Sequence, residues 1–132
     1  MQRTIINPPS LGEPVGPFAR AVRIGDHVHV AGTSAISHLS GPLDQRPIPP
    51  DAETQARLTF ANIERALEAA GLGLRDIYRM LVIVSEARHQ AAVNRVRNEI
   101  FAEKAFISTA IVAGPLRPDM LVEIEVSAIS RG

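Results

Sequence analysis

The segment "MLVEIEVSAI" (120–129) alternates strictly, with Val122, Ile124 and Val126 on one side and Glu123 and Glu125 on the other. Successive side chains of a β-strand point to opposite faces, so this pattern fits a strand and would be scrambled on a helix. Such a strand needs a core on one face. On the other face its two acids need cations, donors or water. The chain must therefore supply a sheet that is covered on one side and chemically occupied on the other.

The remaining segments fit that demand. "RTII" (3–6) can open the sheet as a short strand, and "NPPSLGEPVGP" (7–17) is loop because Pro and Gly crowd it. "FARAVRI" (18–24) and "HVHVAG" (27–32) flank Gly25-Asp26, a two-residue hairpin signal. Val28 and Val30 share one face of the second strand, and His27, His29 and Ala31 the other. A long loop (33–50) follows, and long loops in compact domains are often functional. Residues 51–70 predict a helix: Asp51 can cap its start, Gly71 can end it, and Ala56, Phe60, Ile63, Leu67 and Ala70 form one apolar stripe. "IYRMLVIVS" (77–85) reads as a strand buried on both faces. A second helix is expected from about Arg88 to Lys104, with Ala92, Val93, Val96, Ile100 and Phe101 inward. "STAIVA" (108–113) and the strand at 120–130 close the chain.

The order β-β-β-α-β-α-β-β predicts an α+β fold in one domain spanning 1–132: a mixed sheet with two helices packed on one face. Two helices cannot cover the second face, where Phe18, Val22, Ala31 and Leu121 are expected. An apolar sheet face left open implies a partner, and a homo-oligomer is expected to bury it.

Composition excludes several functions. The chain has no cysteine, so disulfides, thiolate nucleophiles and Cys-ligated zinc are out. Fourteen Lys and Arg balance fourteen Asp and Glu, and no basic run stands out, which disfavours nucleic acid as a partner. No apolar run suits a signal peptide or approaches the roughly 18 residues that span a bilayer, so no membrane partner is expected and a cytoplasmic location is.

Three stretches together resemble the Rid family of small trimeric proteins, also called the YjgF family. "VGPFARAVRIGDHVHVAG" is similar to the family's opening "IGPYSQAV…GN…SG". "ETQARLTFANIERALEAAGLGLRDI" is similar to its first-helix pattern, which ends in "AAG". "MLVEIEVSAI" is similar to its closing "VEIEAIA". The resemblance implies a chorismate-mutase-like fold and a homotrimer with clefts between subunits. It also implies hydrolysis of a reactive enamine or imine, such as 2-aminoacrylate, to a keto acid and ammonia without metal or cofactor. In that family an arginine clamps the substrate carboxylate, a role its planar fork suits.

Transferred residue by residue, the family's water-positioning glutamate falls on Glu123. Its cleft tyrosine falls on Phe18, which keeps the ring and loses the hydroxyl. The serine of its "SG" falls on Ala31, followed by Gly32, and an asparagine of the second helix falls on Asn94. The clamp arginine falls on Ile107, with Ser108 after it and Thr109 where a cysteine is common. This places the chain in a branch that lacks the clamp, with Ile107 facing Glu123. Standard 2-aminoacrylate hydrolysis is accordingly disfavoured, and a larger or less acidic enamine would be tolerated. Phe18, Ala31, Gly32, Asn94, Ile107, Ser108 and Thr109 are the expected substrate-binding set, and Glu123 the catalytic residue.

Other candidates rank below these. Arg20, expected on a strand face with Phe18, and Arg117 could replace the clamp, but a surface or intersubunit role is the stronger reading for each. His27 and His29 have the spacing of two metal ligands, yet no compact third ligand accompanies them, and no metal is expected. Thr33, Ser34 and Ser37 lack a nucleophile elbow. Two alternatives to the deaminase remain. One is a non-catalytic small-molecule-binding or regulatory protein of the same fold. The other, an RNA-cleaving translation inhibitor, is disfavoured by the neutral charge.

Overall fold

In the computed structural model, which describes residues 2–130, local signals set the first helix. Asp51 lies in extended backbone and its carboxylate accepts from the Thr54 N–H (2.8 Å) and hydroxyl (2.7 Å), so helix α1 (Ala52–Glu68) starts there. At the other end Gly71 takes φ +77°, which a side chain would resist. Leu72 N–H bonds to Leu67 C=O and Gly71 N–H to Glu68 C=O, the paired closure of a Schellman cap.

The strands are β1 (Arg3–Ile6), β2 (Ala21–Ile24), β3 (His27–Thr33), β4 (Ile77–Val84), β5 (Ile107–Val112) and β6 (Val122–Ile129); α2 (Gln90–Ile100) lies between β4 and β5. They form one sheet in the order β1-β2-β3-β6-β4-β5. Only β4 and β5 are parallel, as a strand–helix–strand crossover requires. The last strand thus enters the middle of the sheet, antiparallel to β3 and β4.

The alternation of β6 divides the sheet as expected. Val122, Ile124, Val126 and Ala128 are buried beneath the helices, with Val28 and Val30 of β3 and Met80, Val82 and Val84 of β4. From α1 come Ala56, Phe60, Ile63 and Leu67, and from α2 Val93 and Val96. The opposite face carries Glu123 and Glu125, flanked by Ile83 and Leu81 of β4 at the same levels. No helix covers it.

Several boundaries differ from expectation. The strand expected at 18–24 begins only at Ala21, because the Arg20 N–H is taken by the Asn7 side chain (2.8 Å) in the preceding loop. Phe18 and Arg20 therefore share no strand face. The second helix stops at Ile100, where Phe101 turns extended and packs its ring on Phe60 and Phe106. Ile100 is left exposed. Leu121, expected on the open face, packs against the core, with its N–H held by Gln55 Oε1 (2.8 Å). Strand β4 is not buried on both faces in the single chain: Arg79 is exposed, and Leu81 and Ile83 are half-buried. That half-covered face also carries Ile5, Ile107 and Ile111, all exposed.

Candidate functional site

The polar residues of α1 shape the loop between β3 and α1. Gln55 is fully buried and donates to Pro49 C=O (2.7 Å) and Asp119 C=O (2.9 Å), tying the end of that loop to the approach of β6. Asn62 donates to Ser34 C=O (2.9 Å) and lies 3.2 Å from His38 Nδ1. Buried backbone groups must find partners, and here helix side chains supply them. The hydroxyls of this stretch are used internally. Thr33 Oγ1 donates to Ala31 C=O (2.8 Å), and Ser37 Oγ accepts from the Ser34 N–H (3.0 Å). They serve the turn, as their lack of a nucleophile motif suggests.

Arg20 is neither a surface nor a strand-face residue. It is only 6% exposed. Its Nε donates to Gly12 C=O (2.9 Å), and its Nη2 to Glu13 C=O (3.1 Å) and Ser37 C=O (3.0 Å), so one guanidinium pins two loops together. Arg117 is occupied differently. It forms a two-point pair with Asp119 (2.8 and 2.6 Å) and donates to Leu43 C=O (2.8 Å) and Arg46 C=O (2.6 Å). It is a structural anchor of the loop that carries Arg46.

These anchors leave a cavity of about 340 Å³, at the small end of the range for ligand sites. Phe18, Val15, Leu43, Leu116 and Met120 supply apolar walls; Gly32, Glu123, Arg20 and Arg46 supply the polar ones. Phe18 is 49% exposed, its ring at the mouth. Glu123 reaches this cavity because β6 points it to the open face and because Gly32 on β3 has no side chain. A Cβ added at Gly32 would stand 3.0 Å from Glu123 Oε2 and 3.1 Å from its Cδ. Burial, helped by the neighbouring Glu125 carboxylate, pushes the Glu123 carboxyl above its ordinary value. A carboxyl so placed holds its proton more readily than a solvated one and is suited to acid–base work.

The cavity gathers three of the expected site residues, Phe18, Gly32 and Glu123. Ala31 is beside it and lines a shallower hollow with His29 and Glu125. The other four lie elsewhere in the chain. Asn94 is on α2, across the sheet, accepting from Arg97 (2.7 Å) and Gln90 (3.2 Å). The Ser108 hydroxyl accepts from Arg97 Nη1 (2.8 Å). Ile107 and Thr109 are on the edge strand, at the levels of Arg79 and Leu81 of β4. Glu123 is level with Ile83 instead, and Ile83 with Ile111. Within one chain, then, Ile107 does not face Glu123: β4 intervenes, and their rows are four residues apart. Only a second copy could bring the two together.

The histidines of β3 are engaged on the open face. His27 Nδ1 lies 3.1 Å from the Tyr78 hydroxyl, His29 Nδ1 lies 3.1 Å from Ser127 Oγ, and the two rings stack at 6.1 Å. Among the described residues no three His, Asp or Glu side chains converge as a metal site would require. Sequence reading missed Arg46. Its guanidinium bonds to backbone carbonyls, Gly41 C=O (3.0 Å) and Ile36 C=O (3.3 Å), and such partners leave no mark in a sequence. The length of its loop was the only signal.

Residues 9–130 match the family model described as Endoribonuclease L-PSP. A RutC family protein of Pyrococcus horikoshii is 31% identical over 116 residues, covering 88% of this chain and 89% of the relative. TdcF of Escherichia coli, whose name describes a reactive intermediate deaminase, is 30% identical over 118 residues, covering 87% and 88%. Among solved structures, E. coli TdcF with bound serine superposes with a TM-score of 0.82 at 27% identity, covering 96% of this chain and 98% of that one. RidA from a Psychrobacter species superposes with a TM-score of 0.85 at 24% identity, over 96% and 99%, which speaks to the fold.

Proposed function

The chain belongs to the family described as Endoribonuclease L-PSP, the Rid family, and we propose that it is an enamine or imine deaminase that adds water to a small reactive metabolite. The observation that carries this reading is the Glu123 carboxyl, half-buried over Gly32 in a small cavity walled by Phe18. The relatives support it in kind: one is named a reactive intermediate deaminase, and its structure holds serine, a small amino acid.

The chemistry is an addition followed by an elimination. The Glu123 carboxyl gives its proton to the enamine carbon, leaving an iminium and a carboxylate. Water then attacks the C=N carbon while Glu123 accepts its proton. The carbinolamine collapses to a carbonyl, and ammonia leaves with a proton returned through the same carboxyl. Water enters, ammonia leaves, and no electrons are exchanged with an acceptor. A carboxyl biased toward its neutral form by burial and by Glu125 can give as well as take a proton, which both halves require.

The site is complete only in an oligomer on this reading. Ile107 and Thr109 sit with Ile5 and Ile111 on the uncovered sheet face. A trimer would bury that face and carry the edge strand of one subunit to the cavity of the next. The RNA-cleaving alternative is not favoured: the formal charge is zero, and the open face centres on two glutamates, which would repel a phosphate backbone.

The test is ammonia release from an enamine generated in situ, with native protein and Glu123→Gln compared at equal concentration. The native protein should accelerate release, and the variant should lose about 10²-fold or more, the scale of a general acid–base contribution. A Glu123→Gln protein as active as the native one would remove Glu123 from the mechanism.

A further inference from the structure

A separate cavity of about 270 Å³ lies where α2 ends. The helix stops at Ile100 because Phe101 turns extended and takes its ring into the core, leaving it 4% exposed. The chain departs from the helix axis there, and a gap opens between residues 100–106 and the start of β4. Leu74, Ile77, Ile100, Phe101 and Phe106 wall it. Ile100, which the apolar stripe of α2 places inward, is instead 36% exposed and borders this gap. The cavity shares no lining residue with the one that holds Glu123. Ile77 stands six residues along β4 from Ile83, the level of Glu123, which is roughly 20 Å at about 3.3 Å per strand residue.

Three of the four phenylalanines form a row that leads to this cavity. Phe60, buried in the core, meets Phe101 edge-on with ring centroids 5.6 Å apart, and Phe101 meets Phe106 at 5.0 Å with the planes tilted by 54°. Aromatic rings prefer such tilted and edge contacts. The row starts in the core and ends at the half-buried Phe106, on the cavity wall. Arg97 lies over the Phe106 ring at 5.8 Å, and its guanidinium donates to Ser108 Oγ (2.8 Å) and Asn94 Oδ1 (2.7 Å), so it holds the ring and is itself occupied. The cation on the cavity rim is Arg75, in the turn before β4. It is exposed and makes no hydrogen bond or ion pair among the described residues. Glu103, the acid on the same rim, is already engaged.

We propose that this cavity is a binding site for a small aryl monocarboxylate, a single ring carrying its carboxylate on a short arm. The ring continues the row of phenylalanines, packing on Phe101 and Phe106 between Ile77 and Ile100. The carboxylate stays at the mouth, where the Arg75 guanidinium reaches it and water still solvates both. The volume is just under the about 300–1,000 Å³ usual for ligand sites, which limits the occupant to one ring. The site is independent of the deaminase reading. Neither Glu123 nor its cavity takes part, so the occupant does not compete with a substrate there.

Titration with phenylacetate and its uncharged analogue phenylacetamide, followed by amide chemical shifts of the native protein, tests this without relying on a variant. The shifts should gather at residues 74–77 and 100–106 and leave Gly32 and Glu123 unmoved. Phenylacetate should bind about 10-fold more tightly than phenylacetamide, and Arg75→Gln should remove that preference, as expected for one charge-assisted contact. Arg75 is exposed and unbonded, so the variant should fold as the native chain does. Glu123→Gln should bind phenylacetate as the native protein does. The proposal is overturned if the shifts gather at Gly32 and Glu123, if the acid and the amide bind alike, or if Arg75→Gln keeps the preference for the acid. It is overturned too if residues 74–77 and 100–106 respond to dilution of the protein and not to phenylacetate, since a second copy of the chain would then be what fills the gap.

Discussion

Replacing Arg20 with methionine should destabilise the protein by about 3 kcal/mol. The figure follows from what each of its three acceptors would do next. Gly12 is buried, so its carbonyl would lose its guanidinium partner at 2.9 Å with no water at hand; a buried unsatisfied acceptor costs about 1–3 kcal/mol. Ser37 C=O would lose one bond at 3.0 Å but keep the Gly12 N–H at 2.9 Å, a loss of about 1 kcal/mol. Glu13 is exposed, and water should replace the arginine there almost without loss. Removing a buried charge, and its repulsion from Arg46, returns part of the cost and keeps the net below the top of the range these losses sum to. In a chain of this size that corresponds to a melting temperature lower by roughly 10 °C. Urea unfolding at fixed protein concentration, with the oligomeric mass checked beforehand, measures it. A loss below about 1 kcal/mol would mean that water satisfies all three carbonyls and that Arg20 does not anchor the two loops.

Two further changes probe Glu123 and its surroundings. Gly32→Ala brings no backbone strain, and its Cβ meets only the end of the Glu123 side chain at 3.0 Å, so stability should change by less than about 1 kcal/mol while ammonia release falls about 10-fold as the carboxylate swings aside; unchanged release, or a fold lost outright, would contradict that geometry. Glu123→Gln should stabilise the protein at pH 8 and leave it unchanged at pH 4. A carboxyl whose folded value is raised favours the folded state when protonated, and this stability is lost as pH rises from about 4.5 through the raised value. Thermal melts at the two pH values compare them, and an equal difference at both would show that burial does not bias this proton.

Much of the helix-side architecture could be read from the chain because its causes are local. Asp51 and Gly71 bound α1 with bonds that reach no more than five residues. The period-two pattern of Val122, Ile124 and Val126 fixes which face of β6 is buried. The cavity was legible where its lining depends on such patterns, which is why Glu123 could be placed on the open face. It was illegible where partners are remote in sequence and belong to the backbone. Arg20 looked like a strand residue because Ala21 to Ile24 continue it in apolar alternation, yet Asn7 and three carbonyls hold it in the loop. Ile107 was set opposite Glu123 by the resemblance, whose clefts lie between subunits and not within one chain. The insertion of β6 between β3 and β4 is a tertiary choice that puts β4 between them.

That insertion also gives the second glutamate of "VEIEV" a role. On a central strand with no helix above it, Glu123 and Glu125 are two residues apart on one face, flanked at their own levels by Ile83 and Leu81 rather than by cations. Glu125 therefore raises the cost of ionising Glu123, in addition to the cost of burial. Glu125 borders a different hollow from the one that holds Glu123, so it can act on the proton without entering the cavity. The upward shift of the Glu123 carboxyl has burial and then Glu125 as its causes, so the pairing of two acids on one strand face adds to what burial alone does to this proton.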